Sequence, residues 1–192
     1  ILTCDWSSDV CSSDLGFDEV MFDYVRFPSD GDVEGAVYRN EGRLGKRDAV
    51  PAFLRYAARR LRAQDVRIGA AVFGLSGARD LGIGQLPGRM APYLDTLYPM
   101  TYPSLFGAGE LGLRDPSATP GETVARALRR FEIRVRKSNV LTVPWVQDFS
   151  FSTPYDLDKV LAQIDAARRA GSKGFMLWNA EGVYTDGALS GP

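Results

Sequence analysis

From Gly16 onward, short apolar runs alternate with longer stretches whose apolar residues recur at helical spacing. The short runs are largely apolar and rich in β-branched and aromatic residues, as buried parallel strands are. They predict five strands: Glu19–Arg26, Arg67–Phe73, Thr96–Tyr102, Val140–Val146 and Gly174–Trp178. Strands that alternate with helices are typical of βαβ units, so the sequence predicts an α/β fold with a parallel sheet.

Amphipathic helices are predicted between these strands. Apolar residues from Val50 to Leu61 recur at helical spacing and make one face that covers the sheet. The segment Thr119–Glu122 has the capping-box pattern of a helix start. Thr153 and Pro154 are predicted to open the last helix, which stops near Gly171. No second domain or internal repeat is evident.

The first fifteen residues do not fit this pattern. Asp5–Leu15 reads DWSSDVCSSDL and has no hydrophobic period. It resembles, codon for codon, one reading frame of a common sequencing adapter, so we interpret residues 1–15 as non-native and 16–192 as the domain. An ordinary Ser/Asp-rich loop is the alternative. Both cysteines lie in this segment, so residues 16–192 have neither Cys nor His, which argues against disulfides, zinc sites and thiol or His catalysis.

The composition limits the classes of partner that the chain is expected to bind. The chain is 45% hydrophobic and 24% charged with a net charge of -1, which fits one globular domain. It lacks the basic surface expected for binding nucleic acid or an anionic membrane. No apolar run approaches the roughly 20 residues of a membrane span. We therefore expect a small or neutral polar partner.

Polar and aromatic residues concentrate where the predicted strands end. The strand ends read DYVRFP (23–28), MTYPS (100–104), WVQDF (145–149) and WNAE (178–181). The carboxyl ends of parallel strands meet at one edge of a sheet, where reactive groups gather. Carboxylates, amides, an arginine and aromatic rings suit a sugar, because a carboxylate pair supplies acid and base chemistry.

The sequence thus predicts a carbohydrate site without cofactor or metal. Asp23 and Asp148 are the predicted catalytic carboxylates. The predicted substrate-binding residues are Arg26, Tyr102, Trp145, Gln147, Trp178, Asn179 and Glu181. The alternatives are an ion pair between Asp23 and Arg26, exposed loop positions for Asp148 and Glu181, and core positions for the aromatics. Asp95 precedes its strand, so it lies at the opposite end, where stability is the commoner task.

Six segments in order carry a resemblance to a known family: GFDEVMFDYVRFPSDG, VFGL, GIGQ, YPMTYPS, PWVQDF and GFMLWNAEGVYTDGAL. The chain resembles the glycoside hydrolase family catalogued as domain of unknown function 4015. The resemblance implies a partial TIM-type (β/α)8 barrel with strands four to eight present and strands one to three missing. It further implies a glycosidase that acts on a polysaccharide or cell-wall glycan and that is inactive as this fragment. The complete protein is expected to be a monomer that is secreted or lies in the cell envelope, with its export signal in the missing N-terminus.

A more distant similarity to family 18 chitinases places Asp23, Tyr102 and Trp178 on that family's strand-end positions. Its catalytic Glu is absent, because Val25 and Arg26 occupy that neighbourhood. Three further positions depart from the nearer family, with Ala71 in place of Asp, Leu105 in place of His and Val143 in place of Arg. These departures favour the alternative of a non-catalytic carbohydrate-binding barrel. A doubly wound nucleotide-binding sheet is a third alternative, although Gly74–Gly77 lacks a phosphate-loop pattern.

Overall fold

The computed structural model describes residues 16–33, 35–38, 44–151 and 153–189. The interpretation of residues 1–15 lies outside these ranges and stays a prediction. Within the described part of the chain, six β-strands and four α-helices follow one another in an α/β arrangement.

The sheet is parallel throughout, and its neighbours follow chain order. Its strands are β1 (Glu19–Phe22), β2 (Arg67–Phe73), β3 (Thr96–Met100), β4 (Leu141–Thr142), β5 (Trp145–Gln147) and β6 (Met176–Trp178). Since β4 and β5 both pair with β3, the sheet has five strand positions. This order gives a curled half-barrel, whereas a doubly wound sheet reverses its strand order. The doubly wound alternative is therefore wrong.

Three predicted strands are too long, because β1 ends early, β3 ends at Met100 rather than Tyr102, and β6 begins at Met176 rather than Gly174. β1 ends at Phe22 rather than Arg26, because Tyr24 has a left-handed backbone with a φ of 53° that no strand can continue. The fourth predicted strand is interrupted at Val143 and Pro144, and proline has no amide hydrogen to donate to the ladder. The Pro144 carbonyl still accepts a hydrogen bond from the Met176 amide at 2.9 Å. The interrupted strand thus keeps its place beside β6.

The helices are α1 (Lys46–Arg62), α2 (Pro87–Met90), α3 (Pro120–Val135) and α4 (Leu157–Arg169). The predicted capping box of α3 does not form, because the Thr119 hydroxyl donates to the Asp115 carbonyl at 2.9 Å instead. The start predicted at Thr153 for the last helix is also wrong. The side chain of Asp156 accepts a hydrogen bond from the Lys159 amide at 3.1 Å, and this cap sets the start of α4.

The two faces of the sheet have different surroundings. Ile68 and Val72 of β2 are fully buried in one cluster with Leu54 of α1, so this outer face forms the core with the helices. Burial of such apolar surface is the main stabilising contribution to the fold. The alternate β2 residues Ala71 and Phe73 face the concave side and line a cavity. The helices therefore cover one face and leave the concave face for the site.

Candidate functional site

A cavity of about 390 Å³ lies on the concave face, at the carboxyl ends of the strands. It is lined by Met21, Asp23, Tyr24, Arg26, Asp30, Ala71, Phe73, Gln85, Met100, Tyr102, Leu105, Trp145 and Trp178. Five of the nine predicted site residues, namely Asp23, Arg26, Tyr102, Trp145 and Trp178, belong to this wall, and the other four do not. Its position is the one where parallel α/β barrels place their reactive groups.

Asp23 stands directly after β1, at the rim of the cavity. It is exposed rather than buried in a strand, since β1 ends one residue earlier. Its Oδ1 accepts a hydrogen bond from the Tyr24 amide at 2.7 Å. Within the described part of the chain, its Oδ2 makes no hydrogen bond and no ion pair with Arg26 forms. One carboxylate oxygen is thus free to meet a ligand.

Arg26 is held by two aromatic rings and two oxygens. Its guanidinium lies 4.6 Å from the ring centre of Phe73 and 5.0 Å from that of Tyr24. It donates to the Phe27 carbonyl at 3.1 Å and to the Ser29 hydroxyl at 3.2 Å. A guanidinium has five N–H donors in a fixed plane, so further donors remain for a ligand.

Three aromatic side chains close the cavity on the side of β3, β5 and β6. The rings of Trp145 and Trp178 meet edge to face with centroids 5.8 Å apart. Trp178 is 42% exposed, whereas Tyr102 is nearly buried. Burial, followed by the negative charges of Asp23 and Tyr184, raises the pKa of Tyr102. Tyr102 therefore stays protonated at neutral pH and presents a hydroxyl group.

Asp148 lies outside the cavity wall and is buried, with 3% exposure. Its Oδ2 accepts a hydrogen bond from the Thr185 amide at 2.9 Å, and its Oδ1 accepts one from the Thr185 hydroxyl at 2.5 Å. Its amide donates to the Trp178 carbonyl at 2.9 Å. Both carboxylate oxygens thus hold the segment that follows β6.

Gln147, Asn179 and Glu181 also lie away from the cavity wall. Gln147 is fully buried, and its amide nitrogen donates to the Ser104 hydroxyl and the Phe149 carbonyl, each at 2.8 Å. Asn179 donates to the Asp148 carbonyl and accepts from the Glu181 amide at 2.8 Å. Glu181 is an exposed residue. The two amides therefore serve the protein's own loops in this structure.

The cavity also contains residues that the sequence reasoning missed. Asp30 adds a second carboxylate, and its Oδ2 accepts a hydrogen bond from the Ser29 hydroxyl at 3.0 Å. Gln85 is buried, where it accepts from the Phe73 amide at 2.9 Å and donates to the Ala71 carbonyl at 3.2 Å. Asp30 lies in the same sequence segment as Asp23, so the available signal was its place in the loop after the first strand.

No group of three or more Asp, Glu, His or Cys side chains that would hold a metal is present among residues 16–33, 35–38, 44–151 and 153–189. In those same ranges, none of the helices combines the length and the apolar character that crossing a membrane requires.

The curled parallel sheet with a cavity at its carboxyl ends has the architecture of part of a (β/α) barrel. Residues 9–184 match the family DUF4015, described as "Putative glycosyl hydrolase domain". The chain belongs to this family, as the resemblance in the sequence implied. None of the curated proteins matches the sequence.

Two solved structures show a related fold. The spore cortex-lytic enzyme SleL of Bacillus megaterium QM B1551 is similar with a TM-score of 0.59 and 13% identity over 92% of this chain and 49% of that one. The PgaB (BpsB) glycoside hydrolase domain of Bordetella bronchiseptica has a TM-score of 0.52 and 12% identity over 70% of this chain and 37% of that one. This chain thus matches less than half the length of each structure.

Proposed function

We propose that the chain carries the catalytic face of a glycoside hydrolase that acts on a polysaccharide or cell-wall glycan. The observation that carries this proposal is the cavity at the carboxyl ends, where Asp23 and Arg26 lie beside Tyr102, Trp145 and Trp178. A carboxylate supplies acid, base or nucleophilic chemistry at a glycosidic bond. Family membership supports the reaction class. The fold is shared with an enzyme named as spore cortex-lytic and with a glycoside hydrolase domain, which supports a glycan as the substrate.

In this proposal Asp23 is the reacting carboxylate, because its Oδ2 is free and it lies on the cavity wall. Asp30 is the better placed second carboxylate within the described chain. We assign Asp148 a positioning role instead of the predicted catalytic one, since Thr185 occupies both of its oxygens. Trp145 and Trp178 offer faces for sugar rings.

The other predicted residues divide in the same way. Arg26 and Tyr102 bind sugar hydroxyls from the cavity wall. Gln147 and Asn179 position the loops that follow β5 and β6. A direct contact between Glu181 and the sugar stays a prediction.

We also propose that the five strand positions correspond to strands four to eight of an eight-stranded barrel. The sequential parallel order supports this numbering. Among the described residues β1 pairs with β2 alone, and a closed barrel would bring further strands against its other edge, beside Asp23. The complete protein would then be a monomeric enzyme, and the present chain alone would lack activity.

Asp23→Asn tests the proposal in a protein that contains these residues in an active barrel. The change keeps the shape of the side chain and removes its charge, so turnover of a glycan panel should fall by roughly 10² to 10⁴-fold. The thermal transition should remain unchanged, because Asp23 is exposed. Asp65→Asn is the matched control, since Asp65 is exposed and does not line the cavity. Full turnover in Asp23→Asn, or a loss explained by unfolding, contradicts the assignment.

A non-catalytic carbohydrate-binding barrel is the second candidate. The apolar residues Ala71 and Leu105 line the cavity at positions where the family resemblance implies Asp and His, and this observation favours it. The same panel separates the two candidates. Saturable glycan binding without turnover in the intact wild-type protein supports the binding barrel, whereas turnover that depends on Asp23 supports the hydrolase.

A further inference from the structure

A second cavity of about 370 Å³ adjoins the candidate site. It is lined by Ser29, Phe73, Gly74, Leu75, Leu81, Ile83, Met100, Tyr102, Leu105 and Phe106. Phe73, Met100, Tyr102 and Leu105 also line the first cavity, so the two spaces share a wall. We call this second space the side pocket. Any ligand that rests against the shared wall in the first cavity lies next to it.

The side pocket has an almost purely apolar lining. Its polar side chains are Ser29 and Tyr102. The Ser29 hydroxyl already donates to Asp30 at 3.0 Å and accepts from Arg26 at 3.2 Å. A sugar hydroxyl that entered the pocket would lose its hydration and gain few hydrogen bonds in return. The lining therefore discriminates against bare sugar and favours an apolar group.

The pocket is preformed by tight packing and by a held loop. A Cβ on Gly74 would lie 2.4 Å from the Met100 carbonyl oxygen and 2.8 Å from the Phe106 ring, so the backbone approaches these residues closely. Arg134 of α3 donates to the carbonyls of Gly77 and Ala78, each at 3.1 Å. Preformed apolar cavities of this size are the usual form of small-ligand sites.

We propose that the side pocket binds an uncharged apolar group, an aryl ring or a short acyl chain, that is attached to the sugar held beside Asp23. This inference rests on the proposed function and narrows its substrate class to glycans that carry such a group. The space is sufficient, because an apolar cavity of roughly 150 Å³ accepts a benzene ring. The shared wall supplies the connection, since Phe73 and Tyr102 line both spaces.

Binding of free probes tests the proposal without any turnover. Phenol represents the aryl ring, butyramide the acyl chain and glucose the bare sugar, and each is titrated against the full chain while methyl NMR signals of Leu75, Leu81 and Ile83 are followed. Burial of one aromatic ring contributes enough to predict at least a roughly tenfold tighter binding of phenol than of glucose. The stronger of phenol and butyramide identifies the apolar group.

Leu81→Phe fills the side pocket, because Leu81 lines this space and not the first cavity. It should weaken phenol binding at least tenfold, whereas Leu161→Phe on the exposed side of α4 should leave it unchanged. Leu81→Ala, which removes volume instead, serves if the larger side chain prevents folding, and it should weaken binding less. Affinity for phenol and butyramide no greater than for glucose, or signal changes confined to other methyl groups, overturns the proposal.

The Asp23→Asn variant separates the two hypotheses. Phenol should bind it as it binds the wild type, because Asp23 does not line the side pocket. Turnover is measured in a protein that contains these residues in a complete barrel. Retained phenol binding with no glycan turnover there, in the wild type as well as in the variant, means that the hydrolase proposal fails and the pocket stands. Turnover that depends on Asp23, without phenol binding, means that the hydrolase proposal stands and the side-pocket proposal fails.

Discussion

Carboxylates at the two ends of the same sheet differ in how many hydrogen bonds they accept from the protein. At the amino end, Asp95 accepts hydrogen bonds from Arg62 at 3.0 Å and from the Ile68 amide at 2.9 Å. Glu19 accepts from the Tyr98 hydroxyl at 2.8 Å. At the carboxyl end, Asp23 accepts one bond from the adjacent amide of Tyr24 and is exposed.

This difference shows which charges serve the fold. A charge whose oxygens are satisfied by protein donors joins distant parts of the chain, and Asp95 connects α1, β2 and its own strand β3 in this way. A charge with a free oxygen at a cavity contributes little to the fold and is available to a ligand. In α/β barrels the amino end typically carries stability and the carboxyl end carries function.

Asp148 is the residue that breaks this division, because it lies at the carboxyl end but is fully engaged. Asp148→Ala removes the acceptor of the Thr185 amide and hydroxyl, so we expect a loss of about 2–3 kcal/mol in the free energy of unfolding. Denaturant unfolding measures the change.

Asp148→Asn is the matched variant, since it keeps the shape and one acceptor oxygen. We expect it to cost less than Asp148→Ala, and we expect activity per folded molecule to persist in both. A loss of turnover in Asp148→Asn at unchanged stability would mean that Asp148 is a catalytic carboxylate after all. The contrast between structural and functional carboxylates at the two ends of the sheet would then not hold.

The direct test of the comparison substitutes one aspartate at each end. Asp95→Ala leaves the Ile68 amide without its acceptor and should lower the free energy of unfolding by about 1–2 kcal/mol. Asp23→Ala should change it by less than about 0.5 kcal/mol, as exposed substitutions usually do. Thermal melts of the two variants side by side give the answer. Equal losses would mean that Asp23 is also a structural residue.

Much of the fold was predictable, because hydrophobic period is a local property. The bounds of Arg67–Phe73 agree with the prediction, and the sequence predicted a parallel sheet. Two of the errors in strand bounds arose where one backbone feature decides the outcome. The left-handed Tyr24 ends β1 early, and Pro144 interrupts the fourth strand. The choice between Thr153 and Asp156 at the start of α4 depends on which side chain reaches a free amide, and the two residue types look equally suitable in sequence.

For the candidate site, the sequence predicted the end of the sheet where the cavity lies but not the hydrogen-bond partners of its polar residues. Residue type placed Asp23, Arg26 and the aromatics at the strand ends, and these side chains line the cavity. Residue type does not tell whether the protein itself uses a polar group. Gln147 looks like a ligand-binding amide in sequence, but Ser104 and Phe149 occupy its hydrogen bonds. Such competition depends on segments far apart in the chain, so it becomes visible only in three dimensions.

The smallest expected effect concerns the titration of Tyr98 at the amino end. Burial, followed by the hydrogen bond to Glu19, raises the pKa of Tyr98 from 10.0 to about 12. A raised pKa means that the folded state holds this proton more tightly than the unfolded state does. The stabilisation is therefore complete below about pH 10 and is lost as the pH rises towards 12. Tyr98→Phe removes the titrating group, so its stability deficit relative to wild type should shrink across that interval.

Denaturant unfolding at pH 9 to 12 measures this convergence, and since Tyr98 is only partly buried we expect a change below about 1 kcal/mol. Glu19→Gln provides the control for cause, because it keeps a hydrogen-bond acceptor and removes the charge. It should lower the pKa of Tyr98, which is followed by the ultraviolet absorbance of the phenolate. The measurement is made in a Tyr155→Phe background, because the pKa of Tyr155 is also raised to about 12 and its titration would overlap. A deficit that stays constant with pH would mean that the pKa of Tyr98 is not raised in the folded state. An unchanged Tyr98 titration in Glu19→Gln would mean that the Glu19 carboxylate does not contribute to the rise, and the amino end would then be less tightly paired than its distances indicate.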